Sequence, residues 1–262
     1  MATKWLHPVY GGVRLLADAY YRALARLKRK GTARLYVFTD SRGFRADLWY
    51  CKKNPIRSYV HDLATRYRTE YSISRYSPTT LIDFLYDVRK LDLCEVDFII
   101  LHAGIVDFSP RPLNQAKEIL GAKARRIESL FGKEALRDFP PRLYEEEYEG
   151  EQTASLYGIE VLKKHILPAI DSLPKPVIWI GVNPVLADWV GNYRRERPKN
   201  MNSILEYQEI IDRLFKGTKI GLRSWERTQI IEDTIDNIHF TQAGFQYLAR
   251  SISQCVDQGK VT

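Results

Sequence analysis

Apolar residues along this chain follow two alternating patterns. Arg34-Leu35-Tyr36-Val37-Phe38-Thr39, Val96-Asp97-Phe98-Ile99-Ile100-Leu101-His102 and Pro176-Val177-Ile178-Trp179-Ile180 are short, nearly continuous apolar runs. Each stops at turn formers: Asp40-Ser41-Arg42-Gly43, Ala103-Gly104 and Gly181-Val182-Asn183-Pro184. Runs of this kind predict strands buried on both faces. Weaker strands are predicted at Thr69 to Ser74 and at Thr228 to Ile231. Between them the period lengthens to that of a helix. Helices are predicted over Gly12 to Lys30, Ser58 to Tyr67, Thr79 to Lys90, Ser203 to Phe215 and Thr241 to Val256, with Thr241 as an N-cap.

Strands alternating with helices predict an α/β domain, a parallel sheet of about five strands with helices on both faces. Ligands of such sheets sit beyond the carboxyl ends of the strands. Ser41 follows the first strand, Gly104 to Asp107 the third, Asn183 the fourth, and Asp236 and His239 the fifth, so all should gather at one edge. The connection from about 110 to 175 is unusually long. It holds a charged helical stretch (Leu113 to Phe131), Pro140-Pro141, the acidic run Glu145-Glu146-Glu147, and a further helical stretch from Thr153 to Ile170. It is expected to form a helical cap-like insertion in a single domain spanning 1–262, the acidic run being either part of the cap or a solvated face.

Composition narrows the partners. A formal charge of +8 and two basic clusters, Arg26 to Lys30 and Arg194-Arg195-Glu196-Arg197-Pro198-Lys199, read either as a solvated surface or as attraction to an acidic saccharide, a phosphate-bearing donor or a membrane face. No helix-turn-helix, zinc-finger or RNA-binding pattern is present, so nucleic acid is not an expected partner. The Gly12 to Lys30 helix carries Leu15, Leu16, Tyr20, Leu24 and Leu27 near a helical period; packing on the domain is expected over membrane contact. No run approaches the roughly 18 apolar residues of a membrane span. Three widely spaced cysteines (Cys51, Cys94, Cys255) favour reduced thiols and a cytoplasmic setting. His7, His61, His102 and His165 lack metal-ligand spacing, and no Gly-x-Ser-x-Gly elbow or phosphate-binding glycine loop occurs. No metal is expected.

The chemistry lies in Asp236-Asn237-Ile238-His239, read with Asp40-Ser41. An aspartate three residues before a histidine can share one tight turn with it. The carboxylate then orients the imidazole, and the imidazole takes a proton from a serine hydroxyl that is otherwise a poor nucleophile. The alternative readings are a helix N-cap for Ser41 and a half-buried structural histidine for His239. Asp40-Ser41 after the first strand, Gly104-x-x-Asp107 after the third, and Asp236-Asn237-Ile238-His239-Phe240-Thr241-Gln242-Ala243-Gly244-Phe245 before a terminal helix resemble the SGNH/GDSL hydrolase family. The resemblance spans Arg34 to Val256 and rests on about a dozen residues. It implies a flavodoxin-like three-layer αβα sandwich and carboxylic-ester chemistry without cofactor, with Ser41 as nucleophile, His239 as general base and acid, and Asp236 orienting it.

Two family positions depart from the pattern. No glycine occurs between Gly43 and Gly104, so the oxyanion-binding block after the second strand is altered, to somewhere in Ser74-Arg75-Tyr76-Ser77. The family's third-block asparagine is replaced by Val106, which donates no hydrogen bond. Candidate replacements, or substrate-binding residues, are Asp40, Arg42, Arg75, Gly104, Asp107, Arg111 and Asn183, although Asn183-Pro184 reads slightly better as an ordinary turn opener. The third block is similar to a variant in SGNH-like proteins of bacterial surface-polysaccharide loci. The implied function is a serine esterase, of the carbohydrate O-deacetylase type, acting on a small acyl ester or acylated glycan. One alternative is an O-acetyltransferase for a surface polysaccharide, with acetyl-coenzyme A as donor substrate. Another is a non-catalytic saccharide-binding protein. The oligomeric state is not legible.

Overall fold

Strands whose residues are apolar at every position need cover on both faces, and the chain supplies it. The computed structural model describes residues 6–28, 31–43, 58–192 and 196–259, without the side chains of 6–15. In chain order the elements are α1 (Leu6–Arg26), β1 (Arg34–Thr39), α2 (Tyr59–Arg66), β2 (Arg68–Ile73), α3 (Leu81–Val88), β3 (Phe98–His102), α4 (Ile105–Phe108), β4 (Arg111–Pro112) and α5 (Leu113–Phe131). There follow β5 (Arg142–Tyr148), β6 (Glu151–Ser155), α6 (Ile159–Val161), a π turn (Leu162–Ile166), α7 (Leu167–Asp171), β7 (Val177–Ile180), α8 (Ile204–Leu214), β8 (Thr218–Ile220), α9 (Arg227–Asp233) and α10 (Gln242–Gly259).

The central sheet runs β2-β1-β3-β7-β8, every pair parallel, which is the doubly wound order of the flavodoxin type. Alternate residues of β1, β3 and β7 feed two cores. Tyr36, Phe38, Ile99, Leu101, Val177 and Trp179 pack with α3, α5, α7 and α8. Leu35, Val37, Ile100, Ile178 and Ile180 pack with α2 and with Phe245, Leu248, Ile252 and Val256 along one face of α10.

Local chemistry sets the helix starts. Ser58 and Thr80 cap α2 and α3 with reciprocal capping boxes closed by His61 and Asp83. The Thr241 hydroxyl accepts the Gly244 amide (3.2 Å) at the start of α10. Among the described side chains of α1, Ala25 and Tyr21 pack on the core while Leu16 and Tyr20, with Leu27 just past the helix, face outward, so these three do not form the buried face; the side chain of Leu15 lies outside the described residues. Among the described residues no helix is long and apolar enough to cross a membrane. Cys94 and Cys255 are free; Cys51, Arg29, Lys30, Arg194 and Arg195 lie outside the described residues.

Two sequence expectations are corrected. The segment expected as the fifth strand, Thr228 to Ile231, lies in α9, and the fifth strand is β8. β8 is a three-residue edge strand with only Ile220 buried, so it has no apolar run to announce it. The connection after β3 is only partly helical: β4, β6 and β5 form an antiparallel three-stranded sheet. The acidic run lies in the exposed strand β5, and Thr153 begins no helix because it is in β6. Glu149 (φ 54°) and Gly150 (φ 77°) join β5 to β6 as a two-residue hairpin loop with both central residues left-handed.

Candidate active site

Ser41 opens a single 3-10 turn (Ser41–Gly43) at the carboxyl end of β1. The Asp40 amide donates to the His102 carbonyl (2.9 Å), tying the turn to β3. The Asp40 carboxylate then accepts the Arg42 amide (2.9 Å), and the Gly43 amide donates to the Asp40 carbonyl (3.1 Å). Position 43 must be glycine, since a Cβ there would lie 2.3 Å from the Thr39 side chain.

Asp236 and His239 sit on a tight loop between α9 and α10, closed by a Thr234–Phe240 bridge and by the Ile235 amide donating to the His239 carbonyl (2.7 Å). Asp236 Oδ1 accepts the amides of Ile238 (3.1 Å) and His239 (2.8 Å), which turns Oδ2 toward the ring. His239 Nδ1 lies 2.9 Å from Asp236 Oδ2, and Nε2 lies 3.2 Å from Ser41 Oγ, across 198 residues of sequence. An ionised carboxylate only accepts, so Nδ1 carries the proton and Nε2 turns its lone pair to the serine.

The electrostatics agree with that tautomer. Burial alone would raise the Asp236 pKa, but the facing His239 charge, its ring and main-chain hydrogen bonds, and Arg197 hold it at about 2, below its ordinary 3.8. Burial alone would lower His239; the charge and hydrogen bond of Asp236, aided by Asp40 and opposed by Arg197, raise it above its ordinary 6.5. The side chain of His239 is 27% exposed, so the relay reaches the surface.

The remaining candidates are placed less as expected. Arg42 is not beside the serine hydroxyl as a free cation. It is 1% exposed and engages the Asp40 carboxylate through Nε and Nη2 (3.0 Å) and the Gly181 carbonyl through Nη1 (3.0 Å). Asn183 is no free donor either: its Nδ2 donates to the carbonyls of Pro184 (2.9 Å) and Asn237 (2.8 Å), bracing the histidine loop. Arg111 donates to the carbonyls of Val106 and Ser109 at the end of α4, and burial pushes it down to about 10. Asp107 is buried, accepts the Leu81 amide (3.1 Å) and the Tyr157 hydroxyl (2.9 Å), and is pushed up to about 7 by that burial. Gly104 takes φ 122°, and a Cβ there would meet the Phe108 ring at 2.7 Å. Arg75 is 68% exposed and lies 4.0 Å from Asp87. Ser74, at φ 44°, holds the left-handed backbone of the altered block, and its amide donates to the Thr39 carbonyl (2.7 Å). His102 is buried against the Tyr59 hydroxyl (2.9 Å), and burial pushes it well below its ordinary value.

Two residues were missed. Asn237 was read only as part of the motif. It is buried at φ 71°, its Oδ1 accepts the Leu186 amide (2.8 Å), and its Nδ2 donates to the carbonyls of Leu186 and Trp189. Arg197 was counted in a basic surface cluster, yet its side chain is only 11% exposed and its Nη2 lies 3.6 Å from Asp236 Oδ2. A positive-φ asparagine inside the Asp-x-x-His turn was a readable signal; nothing in the charge run singled out Arg197. Among the described residues no group of three or more His, Cys, Asp or Glu side chains is arranged to hold a metal ion.

No family model and no curated protein matches the chain. Among solved structures, a Streptococcus pneumonia protein provisionally named platelet activating factor is similar over 97% of each chain, at 15% identity and a TM-score of 0.43. E-2-(acetamidomethylene)succinate hydrolase is similar over 88% of this chain and 93% of that one, at 11% identity and a TM-score of 0.32. The architecture and the site described above rest on this chain's own geometry.

Proposed function

We propose that the chain is a serine-dependent acyl-ester hydrolase of the SGNH/GDSL type, with carbohydrate O-acetyl esters as its substrate class. The observation that carries this reading is the unbroken relay Ser41 Oγ to His239 Nε2 (3.2 Å) and His239 Nδ1 to Asp236 Oδ2 (2.9 Å) at the carboxyl edge of a parallel sheet. Ser41 Oγ attacks the ester carbonyl as Nε2 takes its proton, and Asp236 stabilises the imidazolium formed. The imidazolium then protonates the leaving alkoxide. Water attacks the acyl-serine with His239 again as base, which regenerates the hydroxyl.

The oxyanion falls to main-chain amides. Arg42, Arg111 and Asn183 have side-chain donors engaged elsewhere, and the Ser74 amide is bonded to Thr39. The amides of Ser41 and Arg75 are the donors in this reading. Lacking a side-chain donor at position 106, the enzyme works at a cost of about 3–4 kcal/mol in the transition state, some 10²–10³ in rate.

The test is turnover of p-nitrophenyl acetate by wild type and Ser41→Ala. Release of p-nitrophenol that disappears in the variant is expected; equal rates reject the assignment. Labelling by an organophosphonate should fall on Ser41, and glycan binding with neither adduct nor turnover would replace the enzyme by a saccharide-binding protein. Acetyl-coenzyme A consumed only when a glycan is present would make it a transferase.

A further inference from the structure

The insert sheet is tied to the relay through segment 196–200. From β5, the Tyr148 hydroxyl donates to the Glu196 carbonyl (2.7 Å). Asn200 Nδ2 donates to Glu146 Oε2 of β5 (3.3 Å) and to Thr153 Oγ1 of β6 (3.0 Å). Segment 196–200 is therefore held at both ends by the hairpin, and between those ends it presents Arg197, whose Nη2 lies 3.6 Å from Asp236 Oδ2. That oxygen is the one His239 Nδ1 uses.

We propose that Arg197 is a positioning residue of the relay, delivered by the β5–β6 hairpin, so that the insert sheet sets how readily His239 takes the serine proton. The inference rests on the serine-hydrolase reading above. Among the described residues, His239 is faced by Asp236 from its own loop, Asp40 from the end of β1, the Ser41 hydroxyl, and Arg197 from segment 196–200. Arg42 is paired with Asp40. The two carboxylates favour a positive imidazole, and Arg197 opposes them while sharing the Asp236 oxygen. It keeps the ring neutral, and so able to act as a base, to lower pH than the carboxylates alone would allow.

The experiment follows kcat/KM for p-nitrophenyl acetate against pH in wild type, Arg197→Met and Arg197→Lys. Loss of the guanidinium should move the acid limb up by roughly one pH unit, about tenfold in rate below the limb and little on the plateau, whereas lysine should leave it nearly in place. Asn200→Ala, which frees the segment from the hairpin at its 200 end and leaves the Tyr148–Glu196 bond in place, should move the limb the same way by less and add nothing to Arg197→Met. An unmoved limb, or an equal fall at every pH, overturns the proposal. The His239 ring signal, one of five histidines, is followed against pH by NMR in the same proteins. A titration that shifts in a protein without turnover sinks the hydrolase reading and keeps the role of Arg197. Turnover in wild type with an unshifted titration in Arg197→Met sinks the role of Arg197 alone.

Discussion

Asp236→Asn tests the relay at its least replaceable point. Oδ1 accepts two backbone amides, from Ile238 and His239, so the variant's amide oxygen is drawn to that side. Its NH2 group then faces His239 Nδ1 where a carboxylate oxygen stood. Two donors cannot meet there, so the ring moves its proton to Nε2 and presents an N–H, not a lone pair, to Ser41. The protein folds but holds the wrong tautomer.

The magnitude follows from two contributions. The site holds the Asp236 pKa at about 2 in place of 3.8, a preference for the carboxylate of roughly 2–3 kcal/mol net of burial. Recovering the productive tautomer against a facing NH2 forfeits a hydrogen bond to a charged group, about 1.5–3 kcal/mol. Together they predict a fall in kcat/KM of about 10³–10⁴. The acid limb should also move down in pH, because the group that chiefly raises His239 is gone. Stability carries a second signature. Asp236 has a depressed folded-state pKa, so its contribution is present above 3.8 and is lost as pH falls through about 2; the variant lacks that dependence. Rates on p-nitrophenyl acetate across pH, with denaturant titrations at each pH, measure both. A variant retaining a tenth of wild-type kcat/KM with an unmoved limb would refute the tautomer argument.

Two further outcomes concern the supports of the site. Asn237→Ala strands the Leu186 amide and the carbonyls of Leu186 and Trp189 and places alanine at φ 71°, which should cost about 3–6 kcal/mol in urea denaturation. Asn237→Gly should recover only the backbone share, about 1 kcal/mol, and a loss below that in the alanine variant contradicts the bracing role. Asp107 has a raised folded-state pKa, so the stability held by its protonated form is complete below 3.8 and is lost as pH rises through about 7. Wild-type stability relative to Asp107→Asn should therefore decline by roughly 4 kcal/mol between pH 4 and 7, and a flat difference over that range would exclude a neutral buried carboxyl.

How much of this was legible follows from where the determining contacts lie. β1, β3 and β7 could be read because burial on both faces writes an unbroken apolar run. β8 could not, since two of its three residues are exposed and its place is set by pairing with β7. The β-branched Thr228, Ile230 and Ile231 suggested a strand, but only Ile230 is buried in α9 and a single inward residue per turn suits a helix. The Glu149-Gly150 hairpin hid inside an acidic run that composition alone assigns to solvent.

The candidate site divides along the same line. Asp236 and His239 are three residues apart, and the sheet-edge rule brings Ser41 to them, so their meeting is a local and topological matter. Arg42, Arg111 and Asn183 were misread because residue type reveals a donor and not its acceptor. Their acceptors include main-chain carbonyls of Gly181, Val106 and Asn237, and two of those lie 139 and 54 residues away. Loops at the carboxyl edge of a parallel sheet have no ladder to satisfy their carbonyls, so nearby arginine and asparagine donors are drawn to them. A polar side chain at such an edge is free for chemistry only when its neighbours' carbonyls are already satisfied. Ser41 and His239 meet that condition by facing each other, and Arg197 reaches them because the insert sheet holds the backbone on either side of it.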